Sequence, residues 1–217
     1  MPRLLAIGDM HGCSAALRAV LKAALPEAQD TVVTVGDYVD RGPDTRGVLE
    51  ILRELERQVR LVPLLGNHDE MMLRVCSGRM ELFTDWLHYG GNATLASYDT
   101  LVPEGVWPEH LDFLRRCQLY HETERHFFVH GNYQAKVPLE KQPREVLMWE
   151  SLKKRLPGPH YSGKKAIVGH TAQKSAQVLD LGYLKCIDTW CYGEGWLTAL
   201  DVESGQMWQA DKEGRLK

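Results

Sequence analysis

An apolar segment at residues 31–35 ends at a glycine, and two acids and a cation, Asp37, Asp40 and Arg41, follow it directly. Pro43 then opens a stretch in which apolar residues recur at helical spacing. Proline suits the first turn of a helix because its missing N–H has no partner there. A strand that passes polar side chains to a following helix is how open α/β sheets build ligand sites. This segment therefore predicts an α/β fold with a polar site at the end of a strand.

The same order of strand and helix occurs three times in the first third of the chain. Each strand is apolar along nearly its whole length, which is typical of a parallel sheet that helices cover on both faces. The predicted pairs, strand first, are 3–7 with 13–25, 31–35 with 47–57, and 59–65 with 71–76.

The rest of the chain departs from this order. Residues 78–116 contain short helical patterns broken by glycines, and we predict a helical insertion that lies over the sheet. Beyond the insertion the pattern changes to strands, and we expect the last four of them to be antiparallel strands of a second sheet within a single domain, 1–217. The later strands are predicted at 119–122, 126–129, 166–168, 177–179, 184–187, 196–202 and 207–209.

The composition argues against several classes of function. With 25% charged residues and a net charge of -3, the chain lacks the basic footprint of a nucleic-acid-binding protein. No apolar stretch approaches the roughly 18 residues of a membrane helix. Five cysteines without a CxxC motif predict reduced thiols and a cytoplasmic location, and we expect a monomer. We interpret Cys186 and Cys191 as small core residues, with a redox pair as the alternative.

Side chains of the types that bind metals follow one predicted strand after another. Each of these segments is flanked by glycine, and in an open α/β sheet such strand ends converge on one crevice. One such turn is weak evidence, but five of them predict a shared site. Its residues are Asp9, His11, Asp37, Asp40, Asn67, His68, His130 and His170. The other histidines lack this setting and are interpreted as surface or packing residues: His88, His110, His121, His126 and His160.

The donor set of this site consists of imidazole, carboxylate and amide groups, without a thiolate. Such a set selects Mn²⁺, Fe²⁺, Zn²⁺ or Ni²⁺ and argues against a structural zinc site. We expect six of these eight residues to be ligands, and six are too many for one catalytic ion that must keep an open position. They suit two ions, about 3.5–4 Å apart, that share a bridging carboxylate.

Five motifs, in this order, resemble those of the calcineurin-like metallophosphoesterases, and in particular the phosphoprotein phosphatases. That group includes small bacterial Ser/Thr phosphatases and diadenosine tetraphosphatases. Residues 187–201 also resemble the C-terminal strand motif of the family. The motifs are GDMHG at 8–12, GDYVDRG at 36–42, GNHDE at 66–70, HG at 130–131 and GHT at 169–171. The resemblance implies a four-layer α/β/β/α sandwich with two sheets packed face to face and a dinuclear site at the strand ends.

The resemblance also implies roles for the residues that match the motifs. Two divalent ions, Mn²⁺ by preference, would share Asp37 as a bridge, and a hydroxide between them would attack phosphorus in line. His68 would protonate the leaving alkoxide, Asp40 would orient His68, and Arg41 would bind the phosphate. The remaining ligands would be Asp9 and His11 on the first ion, and Asn67, His130 and His170 on the second. Asn67 is expected to contact the substrate as well.

The sequence departs from the family pattern at two positions that bear on substrate binding. The family usually supplies a second phosphate-binding arginine near Trp149, where this chain has Glu150 and Ser151. Arg144 or Arg155 would have to take that role, or the second contact is missing. Trp190 stands where the family often has glycine, and we expect it to wall one side of the pocket.

These features predict a metal-dependent phosphomonoesterase, with phosphoserine or phosphothreonine of proteins as the expected substrate. The alternative is a dinucleoside polyphosphate hydrolase, which shares every motif. A binding module that has lost catalysis is disfavoured because no ligand residue is missing. A nuclease is disfavoured because the chain has no basic stripe.

Overall fold

The computed structural model describes residues 2–217 and contains ten strands. The strands are β1 Leu4–Ile7, β2 Thr31–Thr34, β3 Arg60–Pro63, β4 Tyr120–Glu122, β5 His126–Val129, β6 Lys165–Val168, β7 Leu179–Asp180, β8 Leu184–Cys186, β9 Leu197–Asp201 and β10 Met207–Ala210. The α-helices are α1 Ser14–Ala24, α2 Thr45–Leu55, α3 Asn67–Cys76, α4 Phe83–Trp86, α5 Asn92–Ser97, α6 Pro108–Arg115 and α7 Arg144–Trp149. Short 3₁₀-helical turns lie at Met80–Leu82, Pro103–Gly105 and Leu139–Lys141, and a π-helical turn lies at Leu87–Gly91.

The strands form two five-stranded sheets. The first has the order β10-β9-β1-β2-β3, in which β1, β2 and β3 are parallel as predicted, β9 is antiparallel to β1, and β10 is antiparallel to β9. The second has the order β4-β5-β6-β8-β7, in which β5, β6 and β8 are parallel and the two edge strands are antiparallel.

The placement of the last strands corrects the sequence-based prediction. Strands β9 and β10 belong to the first sheet, and β8 runs parallel to β6. All five residues of β9 are buried, and Ala199 pairs with Ile7 of β1. The free edge of β1 needs such a strand, because an uncovered sheet edge leaves backbone groups without partners. An apolar pattern identifies a strand, but it does not tell which sheet the strand joins.

Side chains alternate between the two faces of each strand, and this alternation separates the layers of the fold. Leu5 and Ile7 face the helices α1 and α2, whereas Ala6 faces the second sheet, because successive side chains of a strand point to opposite faces. The second sheet behaves likewise, with Phe128 between the sheets and Phe127 on the outer face. The outer layer there consists of α7 and the loops around it. The four-layer α/β/β/α architecture is therefore confirmed.

The segment predicted as a helical insertion contains α4, α5 and α6. Helices α5 and α6 pack against α2, and α4 packs against α3, so the segment extends the outer helical layer of the first sheet. Gly90, with a φ of 115°, kinks the chain between α4 and α5. No helix within residues 2–217 has the length and apolar character needed to cross a membrane.

The core between the sheets makes the first testable prediction. Phe128 is 0% exposed and packs there among aliphatic side chains of both sheets. We expect Phe128→Ala to lower the free energy of unfolding by about 3–5 kcal/mol, because it removes buried apolar area and leaves a cavity. Urea denaturation measures this change.

Leu101→Ala is the control for this experiment, because Leu101 is 87% exposed. We expect its unfolding free energy to stay within about 0.5 kcal/mol of the parent value. A loss below about 1 kcal/mol for Phe128→Ala would show that the packing between the sheets is looser than described.

Candidate metal centre

The predicted site residues meet where the two sheets face each other. Asp9 and His11 follow β1, Asp37 follows β2, and Asn67 begins α3 after β3. The second sheet adds residues after β5 and β6. Five of the six candidate ligands, all but His170, are at most 6% exposed. The full set of candidate ligands is Asp9, His11, Asp37, Asn67, His130 and His170.

The loop after β2 holds a backbone conformation that residues other than glycine rarely adopt. Asp37, Asp40 and Arg41 have φ values of 53°, 71° and 70°, all in the left-handed region. Such strain persists only where the surroundings enforce it, and it is concentrated at functional sites. Gly66 is required opposite this loop because a Cβ there would collide with the Asp37 carboxylate.

Asp69 enforces this conformation, and the sequence motifs did not single it out. Its carboxylate is fully buried and accepts the backbone N–H groups of Asp37, Tyr38 and Gly66, each at 2.9 Å. Burial and, after it, the charge of Asp37 raise the pKa of Asp69 to about 7. The Asp37 carboxylate in turn accepts the N–H of His68, at the N-terminus of α3, at 3.0 Å. A helix N-terminus stabilises negative charge.

A first cluster of possible metal ligands consists of His11, Asp37 and His68, whose ligand atoms lie within 4.8 Å of one another. His11 Nδ1 lies 2.9 Å from the Val39 carbonyl oxygen, so we assign the proton to Nδ1 and a lone pair to Nε2. That Nε2 lies 3.5 Å from Asp37 Oδ2. Burial lowers the pKa of His11 well below its ordinary value, so the imidazole is held in its neutral, ligating form.

Asp9 adds a further donor on this side. Its Oδ2 accepts the backbone N–H of His170 at 2.8 Å, whereas its buried Oδ1 has no hydrogen-bond partner among residues 2–217. Burial, together with the neighbouring carboxylate of Asp188, raises the pKa of Asp9 well above its ordinary value. A buried carboxylate oxygen without a partner is costly unless a cation or proton satisfies it.

The second cluster consists of Asp37, His130 and His170, with Asn67 between the two imidazoles. His130 Nδ1 lies 2.8 Å from the Val35 carbonyl, and His170 Nε2 lies 3.2 Å from the Trp149 carbonyl. We assign the ring protons to these outer nitrogens, as in many metal-binding histidines.

The inner atoms of this cluster are then all acceptors. Asn67 Oδ1 lies 3.0 Å from His130 Nε2 and 2.8 Å from His170 Nδ1, and Asp37 Oδ1 lies 3.4 Å from His130 Nε2. Converging lone pairs repel unless a cation or a proton lies among them. The pKa of His130 also reflects the negative charge around it: burial lowers this pKa, but the charges of Asp37 and Asp9 raise it to about 10. The residues therefore fit a pair of divalent ions that share Asp37.

His68 and Asp40 form a pair beside the clusters. His68 Nδ1 lies 2.8 Å from Asp40 Oδ2, and both side chains are buried. Asp40 also accepts hydrogen bonds from Trp86 Nε1 at 3.0 Å and from Thr94 Oγ1 at 2.8 Å. Trp86 and Thr94 belong to the helical insertion, and no motif indicates these contacts, because they join residues that lie far apart in the sequence.

Arg41 is exposed at the edge of the site. Its Nη1 lies 2.8 Å from His11 Nε2, and its guanidinium carbon lies 4.7 Å from the centre of the Tyr192 ring. The insertion holds its backbone, because the Gly90 carbonyl accepts the Arg41 N–H at 3.2 Å. The position of Arg41 agrees with a group that meets a bound anion.

Arg144 and Arg155 are both bound by glutamates. Arg144 donates from Nε and Nη2 to Glu70 at 3.1 and 3.0 Å, and Arg155 donates from Nε to Glu150. Glu70 also accepts Trp149 Nε1 at 2.9 Å. A substrate-binding role for either arginine stays a prediction.

The cysteines and the remaining histidines lie outside both clusters. Cys186 and Cys191 are buried, as expected, and the side chain next to Cys191 is Cys13. The five cysteines are free thiols. His110 is fully buried and bridges Tyr98 and Glu50.

Comparisons with known proteins agree with this geometry. The sequence pattern of the family described as calcineurin-like phosphoesterase matches residues 2–193. A symmetrical bis(5'-nucleosyl)-tetraphosphatase of Nitrosospira multiformis is 33% identical over 127 residues, which are 58% of this chain and 42% of that protein. Serine/threonine-protein phosphatase 1 of Salmonella typhimurium is 31% identical over 134 residues, 59% of this chain and 58% of that protein.

The chain thus matches about half of the length of these curated relatives. Among solved structures, a candidate diadenosine tetraphosphatase has the same fold, with a TM-score of 0.72 at 20% identity over 97% of this chain and 95% of that chain. Because the family pattern covers most of the sequence, the chain belongs to the calcineurin-like phosphoesterases.

Proposed function

We propose that this protein is a two-metal phosphomonoesterase that acts on phosphoserine and phosphothreonine in proteins. The observation that carries the proposal is the set of buried acceptor atoms around Asp37. His130 and His170 lie on one side of Asp37, and His11 and His68 lie on the other. When bound there, two divalent ions would polarise the phosphate and supply an activated water. We propose Mn²⁺ as the usual ion.

The residues of the chain would divide the ions between them. Asp9 and His11 would hold the first ion and Asp37 would bridge both. Asn67, His130 and His170 would hold the second ion. The outer hydrogen bonds of the histidines fix which nitrogen points inward, and such contacts strengthen imidazole ligands.

His68 would supply the proton that the reaction requires. Hydrolysis of a phosphomonoester breaks the bond between phosphorus and the ester oxygen, and an alkoxide leaves poorly unless it is protonated. His68 Nδ1 is bound to Asp40, so its Nε2 is the nitrogen free to donate. Asp40 is held by Trp86 and Thr94 and therefore keeps the imidazole in one orientation.

Arg41 would bind the non-reacting oxygens of the phosphate. Guanidinium groups pair with phosphate through two parallel hydrogen bonds. The absence of a free second arginine near Trp149 suits a substrate with one phosphate, because Glu70 and Glu150 already occupy Arg144 and Arg155. Free thiols at the five cysteines support the proposal that the protein acts in the cytoplasm.

Dinucleoside polyphosphate hydrolysis is the second candidate. The relative from Nitrosospira multiformis is named as a symmetrical bis(5'-nucleosyl)-tetraphosphatase. Such a substrate carries several negative charges, and Arg144 would have to exchange its contact with Glu70 for a phosphate. The two candidates share the metal centre and differ in what surrounds it.

Metal content gives a prediction for the ligand set. We expect about two ions per chain after loading with Mn²⁺, and we expect Asp37→Asn to lower both the metal content and the turnover because it removes the bridging charge. Elemental analysis after dialysis measures the content, and hydrolysis of an aryl phosphate measures turnover.

Asp112→Asn is the matched control, because the Asp112 side chain is 61% exposed on α6. It should keep both ions and full activity. Full turnover by protein from which chelation has removed every ion would contradict the two-metal proposal.

The role of His68 predicts a dependence on the leaving group. We expect His68→Asn to retain the metals and to slow hydrolysis of an alkyl phosphate by roughly 10²–10⁴. Hydrolysis of an activated aryl phosphate should slow much less, because that leaving group hardly needs a proton. Steady-state kinetics on both substrates measures the difference.

His121→Asn provides the comparison, since His121 lies on β4 outside both clusters. Its rates should match those of the parent. Equal losses on the two substrates for His68→Asn would mean that His68 is not the general acid.

Substrate choice follows from the paired arginines. We expect kcat/KM to be higher for phosphopeptides than for diadenosine tetraphosphate, with Arg144→Ala and Arg155→Ala having little effect on phosphopeptide turnover. The two substrates are compared side by side with the same metal-loaded preparation.

The opposite ranking would favour the second candidate. It would replace the first if, in addition, either arginine variant lost its cleavage of diadenosine tetraphosphate. Each variant should be checked for an unchanged unfolding transition, because Arg144 binds Glu70 of α3 and Arg155 binds Glu150 and the Tyr133 carbonyl.

A further inference from the structure

Within the described residues, 2–217, no carboxylate pairs with the guanidinium of Arg41, although such a partner usually fixes an arginine. The contacts described for it in residues 2–217 are His11 Nε2 and the face of the Tyr192 ring. His11 Nε2 is the nitrogen that the proposed function assigns to a metal ion, and one lone pair cannot serve both. The Tyr192 contact does not compete with a metal ion. It is therefore the contact that can hold Arg41 in the metal-loaded protein.

Tyr192 is itself fixed between two rings. It packs edge to face against His11, with ring centres 4.9 Å apart, and edge to face against Trp190, at 6.3 Å. Aromatic pairs prefer this geometry and hold each other's orientation. One side of Tyr192 thus faces the metal centre, and Trp190 supports the other.

Trp190 holds a backbone conformation that a bulky residue rarely adopts. Its φ is 66°, in the left-handed region where glycine is favoured. The turn encloses it: Trp190 N–H donates to Asp188 Oδ1 at 3.1 Å, and its carbonyl accepts the N–H of Gly193 at 3.1 Å. Gly193 is required because a Cβ there would collide with the indole ring. An observed strain of this kind points to a functional constraint.

We propose that Tyr192, supported by Trp190, is a positioning residue that holds Arg41 ready to bind the substrate phosphate. A cation over an aromatic face is attracted by the ring and gains rigidity without a competing negative charge. A carboxylate in the same place would hold Arg41 but would also repel phosphate. The inference rests on the proposed function, in which Arg41 binds phosphate.

The test measures phosphate affinity as well as turnover. Inorganic phosphate is titrated into the Mn²⁺-loaded protein by calorimetry, and kcat and KM are measured on an aryl phosphate. We expect Tyr192→Leu to weaken phosphate binding by about threefold to tenfold and to raise KM more than it lowers kcat. Tyr192→Phe keeps the ring and should stay within about twofold of the parent.

A double variant separates positioning from general damage to the site. In an Arg41→Ala background, Tyr192→Leu should cause no further loss, because its effect acts through Arg41. Trp190→Gly should weaken phosphate binding less than Tyr192→Leu does. Tyr161→Leu, at a residue that is 62% exposed, should leave both measurements unchanged.

Three outcomes would overturn the inference. One is phosphate affinity within twofold of the parent in Tyr192→Leu, and another is an equal loss from this change in the Arg41→Ala background. Both leave the proposed function standing, provided that Arg41→Ala by itself weakens binding. If Arg41→Ala has no effect on phosphate affinity, the phosphate-binding role of Arg41 falls as well.

Discussion

The repulsion among acceptor atoms around Asp37 is the constraint on which the rest of the site depends. With the ring protons assigned to the outer nitrogens, lone pairs of two imidazoles, an amide and a carboxylate face one another, and such an arrangement is unfavourable without a cation or a proton. The fold holds it nevertheless, because Asp69 fixes the Asp37 loop through three backbone hydrogen bonds. The protein therefore holds these acceptor atoms together before a ligand binds, and a bound cation would relieve their repulsion.

The helical insertion is part of this arrangement as well as part of the surface. Trp86 and Thr94 bind Asp40, and the backbone of Gly90 binds Arg41. Asp40, which is paired with His68, and Arg41, at the edge of the candidate site, thus depend on a segment that lies far away in sequence. A change in the insertion would reach the chemistry through hydrogen bonds and without any contact with the substrate.

The sequence predicted the α/β class, the parallel core of the first sheet and the convergence of the glycine-flanked polar residues, because strand ends and ligand types are local features. It did not predict that β9 and β10 join the first sheet, since an apolar pattern carries no information about the neighbouring strand. Asp69 and Tyr192 were missed for a similar reason. Their importance comes from contacts with Asp37 and Arg41 that exist only after folding.

The two sheets contribute different candidate ligands, and metal binding at these residues would be linked to the stability of the fold. Asp37 and Asn67 come from the first sheet, whereas His130 and His170 come from the second, so the cluster closes only if the sheets keep their packing. A ligand that binds the native state and not the unfolded chain stabilises the native state. The core between the sheets and a metal bound at the candidate centre would therefore depend on each other, and damage to either would weaken the other.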